Sequence, residues 1–554
     1  MNWFANRVFD EESARGRRNQ TKQDNHSPKN KSGFFTSGCV FNIMLSEISL
    51  LNSKNKDLRK CFLFFFTIAV FSYLSIMVSF CPFNDDICRY LMNVNVGTLS
   101  SSRLFTLLIE TFTYLSNVIT DVAPFSHILS CIFLSYGAII CLKIFKVNLK
   151  SRLEVACFVP VVVNPYMLEV MMFRFDNPFS TLALLFCILA AYLSTKNDKN
   201  LLFIQTVIFF LSLFIYQPAL SAYFILGTYK FLHEIGSGRS FLETISKMRY
   251  WIYTVLITAV GYIPFTYQLN NNYTAEETIV ALPINAENIN AIIRNISMYC
   301  TNLWSDWSQN CAGNIFFVIL IIFILRSLTE LKITKFSFIC SCISGIFVLI
   351  LCPIGAIVTL KALSSQGNET IPTRCLYSMG ILISGVLYKA SSLFKIFEKS
   401  YKFYGFVVTC FCFWNIIFMN SSGNIVHSLK ILQRHVLYDV SKDIHRVVEK
   451  NKKLSGLCCT GSLQTCAMNN FAKLYPMIYR IIPEQWHMPT MCQIAMIDYK
   501  FANSSIKYLP ADNVFEQVKY RRTIKSHPLY DISILDDNII HIHFKSSRES
   551  KARD

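Results

Sequence analysis

The chain has 554 residues, 53% of them hydrophobic, 14% aromatic and only 16% charged, with a mean hydropathy of +0.37; a soluble protein carries about 25% charged residues. This balance excludes a single large soluble enzyme and an intrinsically disordered chain. The formal net charge of +18 lies in the two ends of the chain and in loops between apolar runs, and no nucleic-acid module is visible, so nucleic acid is excluded as a partner.

Residues 1–60 read as a basic, polar, cytoplasmic leader without a stable fold, with Arg15, Arg17, Arg18, Lys22, Lys29 and Lys31 ahead of an apolar patch at Phe34–Leu51. No cleavable signal pattern precedes the first span, and Met44 is an alternative start. Cys61–Phe80 is a run of twenty apolar and small residues, the ~20 needed to cross ~30 Å of hydrocarbon as a helix. Further spans are predicted at Phe125–Leu142, Leu153–Met172, Phe179–Ser194, Leu201–Tyr216, Pro218–Phe231 and Trp251–Tyr267, then at Gly313–Leu325, Phe336–Leu360, Cys375–Tyr388 and Phe403–Met419. The total is about eleven, with boundaries good to ~2–4 residues. Gln217 and Pro218 stand at the turn of a short pair, which also reads as a re-entrant hairpin.

Loops 143–152, 196–200, 230–250, 326–335 and 389–402 hold 17 Lys and Arg, whereas the alternate loops hold six: Arg89, Arg103, Arg174, Arg294, Lys361 and Arg374. Positive loops resist translocation, so the first set is read as cytoplasmic, with the N-terminus inside and residues 420–554 outside. In that tail, Val426, Leu429, Leu432, Val436, Val440, Ile444 and Val448 recur at helical intervals. Short apolar runs at Leu454–Cys459, Met477–Ile482, Cys492–Ile497 and Ile539–Phe544 suggest a small α/β domain. Many of the twenty cysteines lie inside apolar runs, where they act as small apolar residues. The expected fold is an all-α polytopic membrane protein: leader 1–60, membrane domain 61–419, and a small C-terminal α/β soluble domain, 420–554.

The chemistry gathers in the loops read as outer. Asn84-Asp85-Asp86-Ile87-Cys88-Arg89 follows the first span. Two adjacent carboxylates at a membrane surface suit general-base work, because burial and a like charge raise carboxyl basicity; the plainer reading is a polar cap where the chain leaves the bilayer. Ser101–Asn117 reads as an amphipathic surface helix bearing Arg103 and Glu110. The next loop has Glu169 and then Met172-Phe173-Arg174-Phe175-Asp176-Asn177-Pro178, the following one Tyr216-Gln217-Pro218, and Arg374 sits at the mouth of a later span. Arginines are scarce on this side, and holding a lipid phosphate by charge-assisted hydrogen bonds is one reason to keep them; a snorkelling or salt-bridged arginine is the other. His541-Ile542-His543 places two imidazoles on one strand face without a completing ligand set, so no metal is assigned. Trp304, Trp307 and Trp486 are candidates for stacking on sugar rings.

The segments FNDDICRY, SSRLF, FRFDNPF and YQPA, in this order and on this side, resemble the phage-type serotype-converting O-antigen glucosyltransferases of bacteria, polytopic enzymes of the GT-C class; the resemblance covers about Cys61–Phe231. It implies transfer of a glucosyl or similar unit from undecaprenyl phosphate to lipid-linked O-antigen on the periplasmic face of the inner membrane. It also implies a partner synthase and flippase for the donor, and no cofactor. Carried onto this chain, it makes Asp85 and Asp86 the catalytic carboxylates and Arg89, Arg174, Arg103 and Arg374 the donor phosphate ligands, with Glu110, Asp176, Tyr216 and Gln217 binding substrate. Three rivals stand beside it. One is a transporter or flippase of a lipid-linked sugar, which would be expected to place ionisable groups at the membrane midplane. Another is an O-antigen polymerase or ligase. The third is a eukaryotic endoplasmic-reticulum glycosyltransferase, since Asn272, Asn295 and Asn368 head N-x-S/T triplets.

Overall fold

A computed structural model describes residues 56–79, 86, 105–106, 108–110, 121–272, 286–330, 371–395, 398–450, 456–461, 463, 465–482, 507–508, 521–535 and 539–545. The expected leader up to residue 55, the Phe336–Leu360 span and the Cys492–Ile497 run lie outside the described residues. Helices α1 (Lys56–Val78) and α2 (Phe125–Ile144) are followed by three short ones, α3 (Arg152–Ala156), α4 (Val159–Val162) and α5 (Met167–Met172), and then by α6 (Asn177–Thr195). Next come α7 (Leu202–Ile215), α8 (Leu220–Gly236), α9 (Phe241–Lys247), α10 (Arg249–Asn272), α11 (Ala286–Ser308) and α12 (Cys311–Glu330). Beyond the turn Thr373–Leu376 lie α13 (Met379–Phe394) and α14 (Glu398–Lys450).

Among the described residues five segments are long and apolar enough to cross a membrane: α1, α2, α6, Thr373–Phe394 and α14. A sixth exists if α11 and α12, bent by 117° at their junction, count as one span. The sequence-based total of about eleven exceeds this. One expected span, Leu153–Met172, is overturned: it is not a helix but the three pieces α3, α4 and α5. Pro160 and Pro165 lack the N–H that a continuous helix needs and crowd the preceding turn. Asn164 bridges the break, its Nδ2 donating to Pro160 O at 3.1 Å and its Oδ1 accepting the Tyr166 N–H at 3.1 Å. The expected hairpin of Leu201–Phe231 is α7 and α8 joined by the turn Gln217–Ala219.

The core of the bundle is the contact of α6 with α2 and α7, and of α1 with α2 and α14. Small residues allow the closest approach: a Cβ on Gly423 of α14 would collide with Ser75 and the Ile76 backbone of α1. At the end of the bundle away from Asp86, Lys395 pairs with Glu154 at 2.9 Å, and Lys230 and Arg239 both pair with Glu234.

At about 1.5 Å per residue α14 is ~80 Å long, more than twice the hydrocarbon thickness, so its C-terminal half extends past any bilayer around its apolar N-terminal half. That outer half packs on a five-stranded sheet of order β2-β1-β5-β4-β3, formed by β1 (Gly456–Gly461), β2 (Lys507–Tyr508), β3 (Arg521–His527), β4 (Tyr530–Leu535) and β5 (Ile539–Phe544). β1 runs parallel to β2 and β5, while β4 is antiparallel to β3 and β5. Two short helices follow β1: α15 (Cys466–Leu474) and α16 (Met477–Ile481). The two periodicities meet in one core. Val436, Val440, Ile444 and Val447 of α14 face Tyr530 and Ile532 of β4 and Ile540, Ile542 and Phe544 of β5, which is the helical stripe against alternate strand positions.

Asp443 ties helix to sheet. Its Oδ2 accepts Tyr530 Oη at 2.7 Å and the Lys525 ammonium, and Arg446 lies 3.6 Å from Oδ1. Burial pushes this carboxyl up, but the hydrogen bonds from Lys525 and Tyr530 and the nearby positive charges outweigh it, holding it below the usual carboxylate value. The stabilisation is therefore complete at neutral pH and is lost as pH falls from about 4, the unfolded value, through the lower folded one. Amide exchange of the β4 strand in the full chain should accelerate across that window, and Asp443→Asn should remove the pH step while raising exchange at pH 7.

Candidate active site

Residues 157–178 cross the apolar bundle without forming one helix, so their peptide groups must find partners inside the protein. The partners come from other elements. Tyr73 Oη of α1 donates to Val162 O at 2.8 Å, and His127 Nε2 of α2 donates to Met171 O at 2.9 Å. Ser130 donates to Asn177 Oδ1 at 2.8 Å, and Asn177 Nδ2 in turn donates to Phe173 O at 2.6 Å. Asp86, fully buried, accepts the Arg174 N–H on Oδ2 at 2.6 Å.

The Arg174 side chain is only 2% exposed and its Nε donates to Asp121 Oδ2 at 2.8 Å. Earlier in the same segment Glu169, buried in α5, accepts the Thr373 hydroxyl at 2.6 Å, the Arg374 N–H at 2.7 Å and Arg374 Nη1 at 3.2 Å. The Arg374 guanidinium also stands 5.1 Å from the Phe173 ring centre, a cation–π distance, and keeps 28% of its side chain exposed. Phe173 and Arg174 thus bring one carboxylate, two arginines and their carboxylate holders into a single neighbourhood. Beside it, His127, Met172 and Arg174 line a small crevice with Ile76, Ser79 and Val426.

The other expected site residues fall around this centre. Glu110 is buried, and its segment is anchored where Thr106 Oγ1 donates to Ile215 O at 2.9 Å. Tyr216 is buried with its ring 5.6 Å from Tyr377, while Gln217 and Asp176 are half-buried, Asp176 directly preceding α6. Asp85, Arg89 and Arg103 lie outside the described residues, as does Trp486. Trp304 is exposed and Trp307 is buried, its Nε1 donating to Tyr166 Oη at 2.8 Å. The two tail imidazoles share the Thr460 hydroxyl, His541 at 2.7 Å and His543 at 3.0 Å.

Sequence reasoning passed over Asp121, His127 and Thr373, whose partners lie 53, 44 and 204 positions away. It also passed over Asp306, Tyr166 and Arg480. Asp306 Oδ2 accepts Tyr166 Oη at 3.0 Å and the Arg480 guanidinium. The available signal was a lone acid between two tryptophans in a loop otherwise read as interfacial. Chemically, a fixed carboxylate beside partly exposed guanidinium can take a proton from a hydroxyl and stabilise negative charge next to it.

The arrangement makes a coupling test. Glu169→Gln and Arg374→Gln, singly and together, should give a coupling of about 1–2 kcal/mol in reversible unfolding of the purified chain, with the single Glu169 change the larger because it also weakens the bonds to Thr373 and the Arg374 N–H. Additive effects would show that the pair is not coupled.

Among the comparisons with known proteins, the family model described as "Glucosyl transferase GtrII" matches residues 74–383. That is more than half of the chain, and the chain belongs to this family. No curated protein and no solved structure matches.

Proposed function

With membership of the GtrII glucosyl transferase family as the premise, we propose that the chain moves a glucosyl unit from undecaprenyl phosphate to lipid-linked O-antigen at the periplasmic face of a bacterial inner membrane, with its N-terminus in the cytoplasm. The observation that carries this reading is the meeting of Asp86, Arg174 and Arg374 around Phe173 at one end of an apolar helical bundle. A donor with a polyprenyl tail reaches such a site laterally through the bilayer. Neither G-x-x-x-x-G-K nor G-x-G-x-x-G occurs in the sequence, in keeping with a donor that carries no nucleotide.

In the proposed reaction, one carboxylate of the Asp85–Asp86 pair takes the proton of the acceptor hydroxyl as that oxygen attacks the anomeric carbon. The bond from the anomeric carbon to the phosphate oxygen breaks, and the phosphate leaves with the bonding pair. Arg374, partly exposed and aimed by Glu169, stabilises the leaving phosphate. Arg174 adds positive charge, and Arg89 and Arg103 are assigned the same role. Glu110, Asp176, Tyr216 and Gln217 bind the sugars. Donor synthase and flippase act upstream.

Asp86→Asn keeps an oxygen that can accept the Arg174 N–H while removing the charge, so it separates chemistry from anchoring. Asp85→Asn and Asp86→Asn should each leave insertion and accumulation intact. Transfer should drop in at least one of them, and in the double variant by about 10²-fold or more, measured with polyprenyl-phosphate glucose and a lipid-linked acceptor. Full transfer in the double variant would remove the pair from the mechanism. Arg374→Ala should raise the KM for donor more than for acceptor.

A further inference from the structure

The candidate site does not end with the residues matched by the family. Arg480 belongs to α16, nearly a hundred positions beyond residue 383, yet α16 packs against both α11 and the turn Thr373–Leu376 that carries Arg374. Its side chain is 10% exposed, and one nitrogen, Nη2, pairs with Asp306. Nε and Nη1 are buried and have no hydrogen-bond partner among the described residues. Asp306 is held in turn by Tyr166, the residue that directly precedes α5, and Tyr166 accepts the Trp307 indole N–H. Two carboxylate–arginine pairs thus meet the α5 region: Glu169 with Arg374, and through Tyr166, Asp306 with Arg480.

A guanidinium that only pinned the tail to the bundle would be expected to spend its donors on protein acceptors, because buried N–H groups without partners are costly and an apolar side chain would fill the same space at less cost. Arg480 spends one nitrogen on its holder and keeps the other two. That is the state of an arginine that is oriented in advance and completed by an anionic ligand.

We propose that Arg480, delivered by the C-terminal segment, binds phosphate oxygen of a polyprenyl phosphoester in the same site as Arg374, so that the tail forms part of the substrate-binding machinery. The ligand chemistry is shared by two sources, the sugar donor and the lipid-linked acceptor. Identification of the substrates rests on the glucosyltransferase reading; the presence of an anion site at Arg480 does not.

The test uses the full chain and three variants, Arg480→Lys, Arg480→Gln and Arg480→Ala, with KM measured separately for polyprenyl-phosphate glucose and for lipid-linked acceptor. Arg480→Gln should raise one of the two KM values about 10- to 100-fold, the range of a lost charge-assisted hydrogen bond, with Arg480→Lys intermediate. The KM that rises identifies which lipid is held. Guanidinium ion added to Arg480→Ala should restore part of the lost affinity, which a misfolded tail would not allow. Independently of turnover, farnesyl monophosphate should raise the thermal midpoint of the wild-type chain and fail to do so in Arg480→Gln. If the wild-type chain does not use polyprenyl-phosphate glucose but farnesyl monophosphate still stabilises it through Arg480, the donor assignment falls and the anion site stands. Unchanged KM values together with equal stabilisation of wild type and Arg480→Gln would overturn the proposal.

Discussion

The organisation of this protein follows from one constraint: residues 157–178 run through an apolar bundle, and Pro160 and Pro165 forbid a continuous helix there. In water the exposed peptide groups would bind solvent; here they must be satisfied by protein. Tyr73, His127, Asp86 and Asn177 supply that satisfaction, and each is thereby fixed in place. A carboxylate is recruited to the Arg174 N–H in the Phe173–Asp176 connection, an imidazole to a carbonyl three residues earlier, and a second carboxylate, Glu169, gathers the turn that carries Arg374. Broken backbone and polar site are one feature.

Much of this was legible in the chain, for reasons that differ by element. Long apolar runs such as Cys61–Phe80 and Phe125–Leu142 reappear in α1 and α2 because twenty apolar residues have few alternatives to a helix. The helical stripe from Val426 to Val448 lies within α14, its later positions sharing one core with β4 and β5, and the short apolar run Ile539–Phe544 is β5. Leu153–Met172 misled because hydropathy weighs composition and is blind to Pro160 and Pro165. The Val426–Val448 stripe reads alone as an amphipathic helix, yet the polar residues Asn420, Ser421 and Ser422 before it do not stop the apolar helix, and α14 runs through both.

The site was legible in its residue types and not in its pairings. Acids and arginines in loops of scarce charge could be singled out from sequence, and Asp86, Arg174 and Arg374 do converge. The acids that hold Arg174, Arg374 and Arg480, namely Asp121, Glu169 and Asp306, make contacts spanning from 53 to 205 positions, which no local pattern carries. The holders also change the meaning of the arginines. Arg174 is enclosed and paired with Asp121, and Arg374 and Arg480 are each oriented by a buried acid, so charge is arranged before any substrate arrives.

The most direct test of the central claim is glucose transfer by the purified chain in liposomes containing lipid-linked acceptor, with labelled glucose offered either on polyprenyl phosphate or on a nucleoside diphosphate. The account predicts transfer from the polyprenyl phosphate donor alone, with release of polyprenyl phosphate in equal amount. Transfer from the nucleotide sugar in the absence of any polyprenyl donor would contradict it.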